Sequence, residues 1–170
     1  MIRVVILTIS DSTFDRNLSD TSGEAIRLWC ERRNDTIVAH EHVADESSAI
    51  SAALAKWSDS GDADVILTTG GTGLAPRDVT PEATRAVVDR EAQGIAEYIR
   101  ASSFGRFPRA ALSRGVAGLR GSALIINLPG STAGVHDGLA AILPIIDHAV
   151  DVMTGKVTRH EPPRVPPESR

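Results

Sequence analysis

The amino-acid sequence predicts an α/β domain built on a mostly parallel β-sheet. Short apolar runs rich in valine and isoleucine alternate with longer segments of helical periodicity, which is typical of βαβ crossovers. The apolar runs are continuous rather than alternating, which indicates strands covered by helices on both faces. The length of 170 residues suits one domain, and a content of 42% apolar and 24% charged residues is that of an ordinary globular protein.

The individual elements follow from this pattern in chain order. The predicted strands span residues 2–9, 36–43, 63–68 and 123–128. The predicted helices span residues 21–33, 47–58, 81–89, 95–103 and 133–153. Residues 105–121 are rich in glycine and arginine and predict irregular structure or a short extra hairpin. The proline-rich residues 158–170 predict a C-terminal tail that follows a single domain of residues 1–157.

Composition excludes several classes of function. The formal net charge is −4 and no basic block is present, which argues against a nucleic-acid partner. The apolar runs are too short to span a bilayer and no signal-peptide pattern is present, so we expect no membrane partner. The single cysteine, Cys30, rules out an internal disulfide and favours a reducing cytoplasm. Its place in a predicted helix indicates a buried structural thiol rather than a reactive one.

The glycine loop, residues 70–73, follows the third predicted strand and is the most informative segment. It holds three glycines in four residues and leads through Asp78 to a helix with Thr80 as the predicted N-cap and Pro81 in the first turn. Glycine permits positive φ and close approach to the backbone, so successive N–H groups can surround a phosphate. No lysine follows the glycines and Pro76 interrupts a dinucleotide fingerprint, so neither common phosphate motif is present. A tight turn without a ligand is the open alternative.

Polar residues also follow the other predicted strands. Ser10 and Asp11 follow the first strand, Asp45 follows the second, and residues 127–131 lie at the end of the fourth. Because open parallel sheets bind ligands at the carboxyl ends of their strands, we expect these residues to share one edge with the glycine loop.

Each candidate has a structural alternative. Asp78 suits a metal ion or a proton, but it can instead help to cap the helix at residue 81, and Asp45 can be the N-cap of the helix that begins at residue 47. Asp11 can be a turn residue, and Ser131 can be the N-cap of the last helix. His40 and His42 share one strand face, as metal ligands can, but a surface or packing role is favoured because no third ligand is evident.

Several segments together resemble the family of molybdenum-cofactor biosynthesis proteins that includes MogA and MoaB. The resemblance covers about residues 2–153. The matching segments are Ser10-Asp11 with Asp20, Thr68-Thr69-Gly70-Gly71-Thr72-Gly73, Arg77-Asp78-Val79-Thr80-Pro81-Glu82-Ala83, Leu112-Ser113-Arg114-Gly115-Val116-Ala117-Gly118 and Leu124-Ile125-Ile126-Asn127-Leu128-Pro129-Gly130-Ser131. Residues 12–19 depart from the family pattern, which often has a glycine there.

The resemblance implies a three-layer α/β/α fold, a homotrimer and molybdopterin binding. In the MogA branch the terminal phosphate of molybdopterin attacks the α-phosphate of Mg-ATP, which gives adenylylated molybdopterin and pyrophosphate. The alternatives are a MoaB-like paralogue without this activity and a non-catalytic carrier that passes molybdopterin to a molybdenum-insertion protein.

The same resemblance assigns roles to individual residues. Asp45 and Asp78 correspond to the two functional aspartates and would hold Mg²⁺. The residues expected to bind molybdopterin or the nucleotide are Ser10, Asp11, Thr69, Gly70, Gly71, Thr72, Gly73, Ser113, Arg114, Pro129, Gly130 and Ser131.

Overall fold

The computed structural model describes residues 1–11 and 19–157 and confirms the α/β class. Its β-sheet has six strands in the order β2-β1-β3-β6-β5-β4. The strands are β1 (Arg3–Ile9), β2 (Thr36–Val43), β3 (Val65–Thr69), β4 (Arg90–Glu91), β5 (Ala117–Arg120) and β6 (Ala123–Leu128). The first four in this order pair in parallel, whereas β5 and β4 add an antiparallel edge. The four predicted strands are therefore all present.

Helices cover both faces of the sheet, as the three-layer expectation requires. They are α1 (Thr21–Arg32), α2 (Ser47–Asp59), α3 (Thr80–Arg85), α4 (Gln93–Ser103), α5 (Thr132–Ile142) and α6 (Ile146–Met153), with a 3₁₀ helix at Pro108–Leu112. Alternate side chains of β1 divide between two cores. Val4 and Ile6 pack in the core that includes α1, α4, α5 and α6, whereas Val5 and Leu7 pack in the core that includes α2 and α3.

The structure corrects two predicted helices. The helix predicted at 133–153 is two helices, because Pro144 lies between α5 and α6 and cannot continue a helical hydrogen-bond ladder. The helix predicted at 81–89 ends at Arg85, and residues 90–91 form strand β4. Within 105–121, β5 forms a hairpin with β6, and Gly121 in the turn has a φ of 54°. The extra hairpin is therefore the correct alternative for part of that segment.

Cys30 lies on α1 with no exposed side-chain surface, as predicted. Burial raises the pKa of its thiol to about 12, so it packs as a small apolar side chain. None of the helices in the described part of the chain has the length and apolar character needed to cross a membrane. The predicted tail at 158–170 and the glycine-free segment 12–18 lie outside the described residues.

Candidate active site

The predicted polar segments meet at one edge of the sheet. In the strand order, β1 pairs with β2 on one side and with β3 on the other, so the chain reverses its direction of winding between β1 and β3. Open α/β sheets hold ligands at such a point, beyond the carboxyl ends of the strands. Ser10, Asp45, the glycine loop and residues 129–131 all line cavities at this edge.

Two adjoining cavities occupy the edge. The large cleft has a volume of about 460 Å³ and the small cleft about 320 Å³. Among the predicted residues, the large cleft is lined by Gly71, Thr72, Gly73, Asp78, Ser113, Pro129, Gly130 and Ser131. The small cleft is lined by Ser10, Asp45, Thr69, Gly70, Gly71, Asp78 and Gly130. Gly71, Asp78 and Gly130 line both cavities, so ligands in the two clefts would meet at these residues.

The glycine loop needs glycine at two positions. Gly70 has a φ of 102°, and a Cβ there would lie 2.1 Å from the carbonyl oxygen of Ile9. Gly71 has a φ of 63°, and a Cβ there would lie 2.3 Å from Thr80 Oγ1. Both positions therefore combine a left-handed backbone with a close neighbour, which no other residue type tolerates without movement.

All four carbonyl oxygens of the glycine loop accept hydrogen bonds from the protein. Thr80 donates to Gly70 O through its hydroxyl at 3.0 Å and to Gly71 O through its backbone N–H at 3.1 Å. Arg114 donates to Thr72 O through its backbone N–H at 2.9 Å and to Gly73 O through Nε at 2.7 Å. Because these carbonyl oxygens already accept hydrogen bonds, they repel an anion beside the loop less than free carbonyl oxygens would.

The predicted capping role of Thr80 is wrong. Helix α3 begins at Thr80, its N-cap is Val79, and no side chain caps it. The Thr80 hydroxyl is instead fully buried and bonded to the glycine loop, because that loop packs directly over the start of the helix.

Arg114 lies behind the glycine loop. Besides Gly73 O, its guanidinium donates to the carbonyl oxygen of Asp78 and to the carboxylate of Glu82. Arg114 is not among the residues that line either cleft, whereas Ser113 lines the large one. The geometry of the described residues thus makes Arg114 a positioning residue for the loop, and its predicted contact with a ligand stays a prediction.

We expect Arg114→Met to loosen the glycine loop in the absence of any ligand. The substitution keeps a long unbranched side chain but removes the guanidinium and the three hydrogen bonds by which it holds residues 73–82 together. Hydrogen exchange of the unliganded protein should therefore be faster at residues 70–78 in the variant. Unchanged exchange together with weaker ligand binding would instead favour direct contact between Arg114 and the ligand.

Asp11 and Asp45 join the loops that follow β1 and β2. The backbone N–H of Asp11 donates to Asp45 Oδ2 at 2.9 Å, and the N–H of Asp45 donates to Asp11 Oδ1 at 3.0 Å. Arg77 Nη2 lies 2.7 Å from Asp11 Oδ2. Helix α2 has Glu46 as its N-cap with no side-chain capping bond, so Asp45 does not cap it. Asp11 has the structural role of bridging two loops and is not among the residues that line either cleft.

The electrostatic environment of Asp45 disfavours its negative charge. Burial raises the pKa of the Asp45 carboxyl above its ordinary value, and the charges of Asp11 and Asp78 act in the same direction. The N–H of Asp11 and the charge of Arg77 act in the opposite direction but do not cancel the shift. A half-buried carboxylate whose pKa is raised in this way is typical of a site that gains stability when a cation binds.

We expect Asp45→Asn to raise the melting temperature of the unliganded protein at pH 7.5. Because the pKa of Asp45 is higher in the folded protein than in the unfolded chain, ionised Asp45 lowers stability above the folded pKa. The increase should therefore shrink as the pH falls towards the ordinary aspartate pKa of about 4. Thermal unfolding across this pH range measures it, with the exposed Asp62→Asn as control. A pH-independent difference would contradict an electrostatic cause.

Asp78 faces the junction of the two clefts. Its Oδ2 accepts a hydrogen bond from the backbone N–H of Ala75 at 2.8 Å, within its own loop. The side chain does not cap α3, whose N-cap is Val79 and has no side-chain bond. The structural role of Asp78 is therefore to stabilise its own loop and not to cap a helix. The same carboxylate also lines both cavities, so it remains a candidate ligand.

The segment after β6 completes the site. The Thr69 hydroxyl donates to the carbonyl oxygen of Pro129 at 2.7 Å and so joins the ends of β3 and β6. Ser131 is the N-cap of α5 and accepts a hydrogen bond from the N–H of Gly134 at 3.2 Å. Ser131 therefore has the predicted structural role of a helix N-cap, and it also lines the large cleft.

The sequence prediction missed one wall of the large cleft. This wall is formed by α4 and the 3₁₀ helix and includes Ile99, Arg100, Phe107, Arg109 and Leu112. It adds apolar surface and two cationic side chains to a cavity whose floor is the glycine loop. The sequence signal was the arginine content of 105–121, but nothing local indicates that this segment folds over the glycine loop.

Comparisons with known proteins identify the family and the fold. A family model described as "Probable molybdopterin binding domain" matches residues 5–148. A molybdopterin adenylyltransferase of Helicobacter pylori is 40% identical over 91% of this chain and 89% of its own length. The molybdenum cofactor synthesis protein cinnamon of Drosophila melanogaster is 44% identical over 90% of this chain, which spans only 26% of that longer protein. A crystal structure of the molybdopterin biosynthesis enzyme MoaB of Thermus thermophilus is 49% identical, with a TM-score of 0.87 over 94% of this chain and 100% of that one.

Proposed function

The chain belongs to the family of molybdopterin binding domains, and on this premise we propose that it is a molybdopterin adenylyltransferase of molybdenum cofactor biosynthesis. The reaction transfers AMP from ATP to the terminal phosphate of molybdopterin. A phosphate oxygen of molybdopterin forms a bond to the α-phosphorus of ATP, and the bond from that phosphorus to the bridging oxygen breaks. Pyrophosphate leaves with the electron pair.

The observation that carries this proposal is the junction of two clefts at Gly71, Asp78 and Gly130. A transfer between two phosphate-bearing substrates needs two binding cavities and a shared point at which the reacting phosphates approach. The large cleft has the apolar wall and the arginines that suit a pterin with a phosphate. The small cleft, lined mainly by polar residues and by Asp45, suits the nucleotide phosphates.

The two carboxylates that line the small cleft suit Mg²⁺. Asp45 and Asp78 both line the small cleft, and burial together with neighbouring carboxylates raises the pKa of Asp45. Mg²⁺ prefers one or two carboxylates together with phosphate oxygens and water. When bound, it would neutralise the phosphate charge during transfer.

The chain's own residues act by position. The glycine loop supports the phosphates at the junction, and Thr80 and Arg114 hold its carbonyl oxygens away from them. Because phosphoryl and nucleotidyl transfer depend mainly on alignment and charge neutralisation, a fixed loop lowers the barrier without a covalent intermediate.

The proposal is tested by incubating the purified protein with molybdopterin, ATP and Mg²⁺ and assaying adenylylated pterin and pyrophosphate. We expect equal amounts of both products, and none when either substrate is omitted. Tight binding of molybdopterin without ATP turnover would overturn the enzymatic proposal and favour a MoaB-like paralogue or a carrier. The 49% identity to the Thermus thermophilus MoaB is the observation that favours the MoaB-like alternative.

The assembly and location are further parts of the proposal. We expect a cytoplasmic homotrimer that delivers its product to a molybdenum-insertion protein. Sedimentation equilibrium of the purified chain measures the trimer, and a mass of one 18.0 kDa chain would contradict it.

A further inference from the structure

Three side chains from separate parts of the chain converge beside the small cleft. Asp20 precedes α1, whereas His40 and His42 lie two residues apart on β2. Asp20 Oδ2 lies 3.0 Å from His40 Nε2 and 3.1 Å from His42 Nε2. No third ligand for the two histidines is evident in the sequence, and the fold supplies one that is 20 residues away from His40.

The distance from Asp20 Oδ2 to each histidine nitrogen is that of two ligands around one ion. Ligand atoms about 2.1 Å from a metal lie about 3.0 Å apart at a right angle and about 3.4 Å apart at the tetrahedral angle. One ligand atom from each of the three side chains lies within 4.8 Å of both others. A small displacement of the histidine rings would therefore place an ion between the three atoms.

Two hydrogen bonds besides those to the histidines hold the carboxylate in place, although the Thr8 hydroxyl also lies 3.2 Å from His40 Nε2. Asp20 is the N-cap of α1, and its Oδ1 accepts a hydrogen bond from Gly23 N at 2.7 Å. The Thr8 hydroxyl donates to Oδ2 at 2.6 Å. Such outer contacts fix a ligating carboxylate before the ion arrives.

Gly23 keeps the space in front of these atoms open. A Cβ at this position would lie 2.2 Å from Asp20 Oδ2, 2.4 Å from Thr8 Oγ1 and 2.5 Å from His40 Nε2. Any side chain there would fill the point on which the polar atoms converge. The outer side remains accessible, because 40% of the His42 side-chain surface is exposed.

We propose that Asp20, His40 and His42 form a binding site for a divalent transition-metal ion, with Zn²⁺ as the best-fitting case. Two imidazoles with one carboxylate suit Zn²⁺ and its neighbours, whereas Mg²⁺ prefers oxygen ligands. Three protein ligands leave at least one position for water or a phosphate oxygen. Since Asp20 lines the small cleft, the ion lies at the margin of that cavity. The site does not depend on which reaction the clefts carry out.

The test is a calorimetric titration of the chelator-treated full chain with Zn²⁺ in a non-coordinating buffer. We expect one Zn²⁺ per chain in the wild type and at least tenfold weaker binding in His42→Gln. His42 is exposed and its replacement does not threaten the fold. Asp20→Asn, which keeps a good N-cap, should weaken binding similarly. His136→Gln, which changes an exposed histidine on α5, should bind as the wild type does.

The titration also separates a metal site from a cluster that is only hydrogen-bonded. No Zn²⁺ binding by the wild type would overturn the proposal and leave the hydrogen bonds as the whole role of the three side chains. Wild-type affinity in His42→Gln would overturn it as well, since the ion would then lie elsewhere, for example at Asp45 and Asp78. X-ray absorption of the Zn²⁺-loaded protein should show two imidazole nitrogens at about 2.0–2.1 Å, and an all-oxygen shell would contradict the site.

Discussion

Asp78→Asn is expected to abolish most adenylyl transfer while leaving the fold intact. Asparagine keeps the size of the side chain and an oxygen that can accept the hydrogen bond from Ala75 N, so the loop should keep its shape. The charge at the junction of the two clefts is lost, and with it the proposed metal ligand. Removing one such electrostatic contact in a preorganised site lowers turnover about 10²- to 10³-fold. The rate of pyrophosphate release with saturating molybdopterin and ATP is the measurement.

The matched control is Asp62→Asn, which removes the same charge from an exposed position away from the clefts. It should keep wild-type turnover. Circular dichroism and the melting temperature establish that both variants are folded. Normal turnover in folded Asp78→Asn would contradict the role of Asp78 but not the binding of the two substrates.

Gly70→Ala is expected to lower both stability and turnover severely. Residue 70 has a φ of 102°, which strains an alanine backbone, and the new Cβ would lie 2.1 Å from the carbonyl oxygen of Ile9. The glycine loop must therefore move away from β1. Backbone strain and overpacking together should lower the free energy of unfolding by about 3 kcal/mol or more. Urea denaturation measures the loss.

Gly61→Ala separates the two causes. Gly61 also has a left-handed backbone, with a φ of 75°, but nothing lies within 4 Å of its Cβ position. The Gly61→Ala variant should lose only the part of the free energy of unfolding that comes from backbone strain, about 1 kcal/mol, and keep full turnover. Equal losses in the two variants would show that contact with Ile9 is not what requires glycine at position 70.

The sequence predicted the fold and the floor of the site because both depend on local patterns. Continuous apolar runs marked the four parallel strands, and the carboxyl-end rule placed Asp45 and Asp78 at one edge. The sequence also contained the evidence for a helix break at Pro144, since proline inside a helical pattern ends the helix. The single helix was predicted because the apolar periodicity continues on both sides of this proline.

The remaining features depend on contacts between distant segments. Asp20 meets His40 and His42 only because α1 begins beside β1 and β2, and no local spacing predicts that. The 3₁₀ helix at Pro108–Leu112 forms a cleft wall only because it folds over the glycine loop. Thr80 has the residue type of a helix cap, but tertiary packing gives its hydroxyl to Gly70 instead.

The shared residues of the two clefts have a consequence for the lifetime of the product. In the proposed reaction each substrate would occupy one cavity, whereas adenylylated molybdopterin would span Gly71, Asp78 and Gly130 and occupy both. Two tethered halves that bind adjoining sites dissociate far more slowly than either half alone. Slow release would then keep the reactive phosphoanhydride on the protein until a receiving protein removes it.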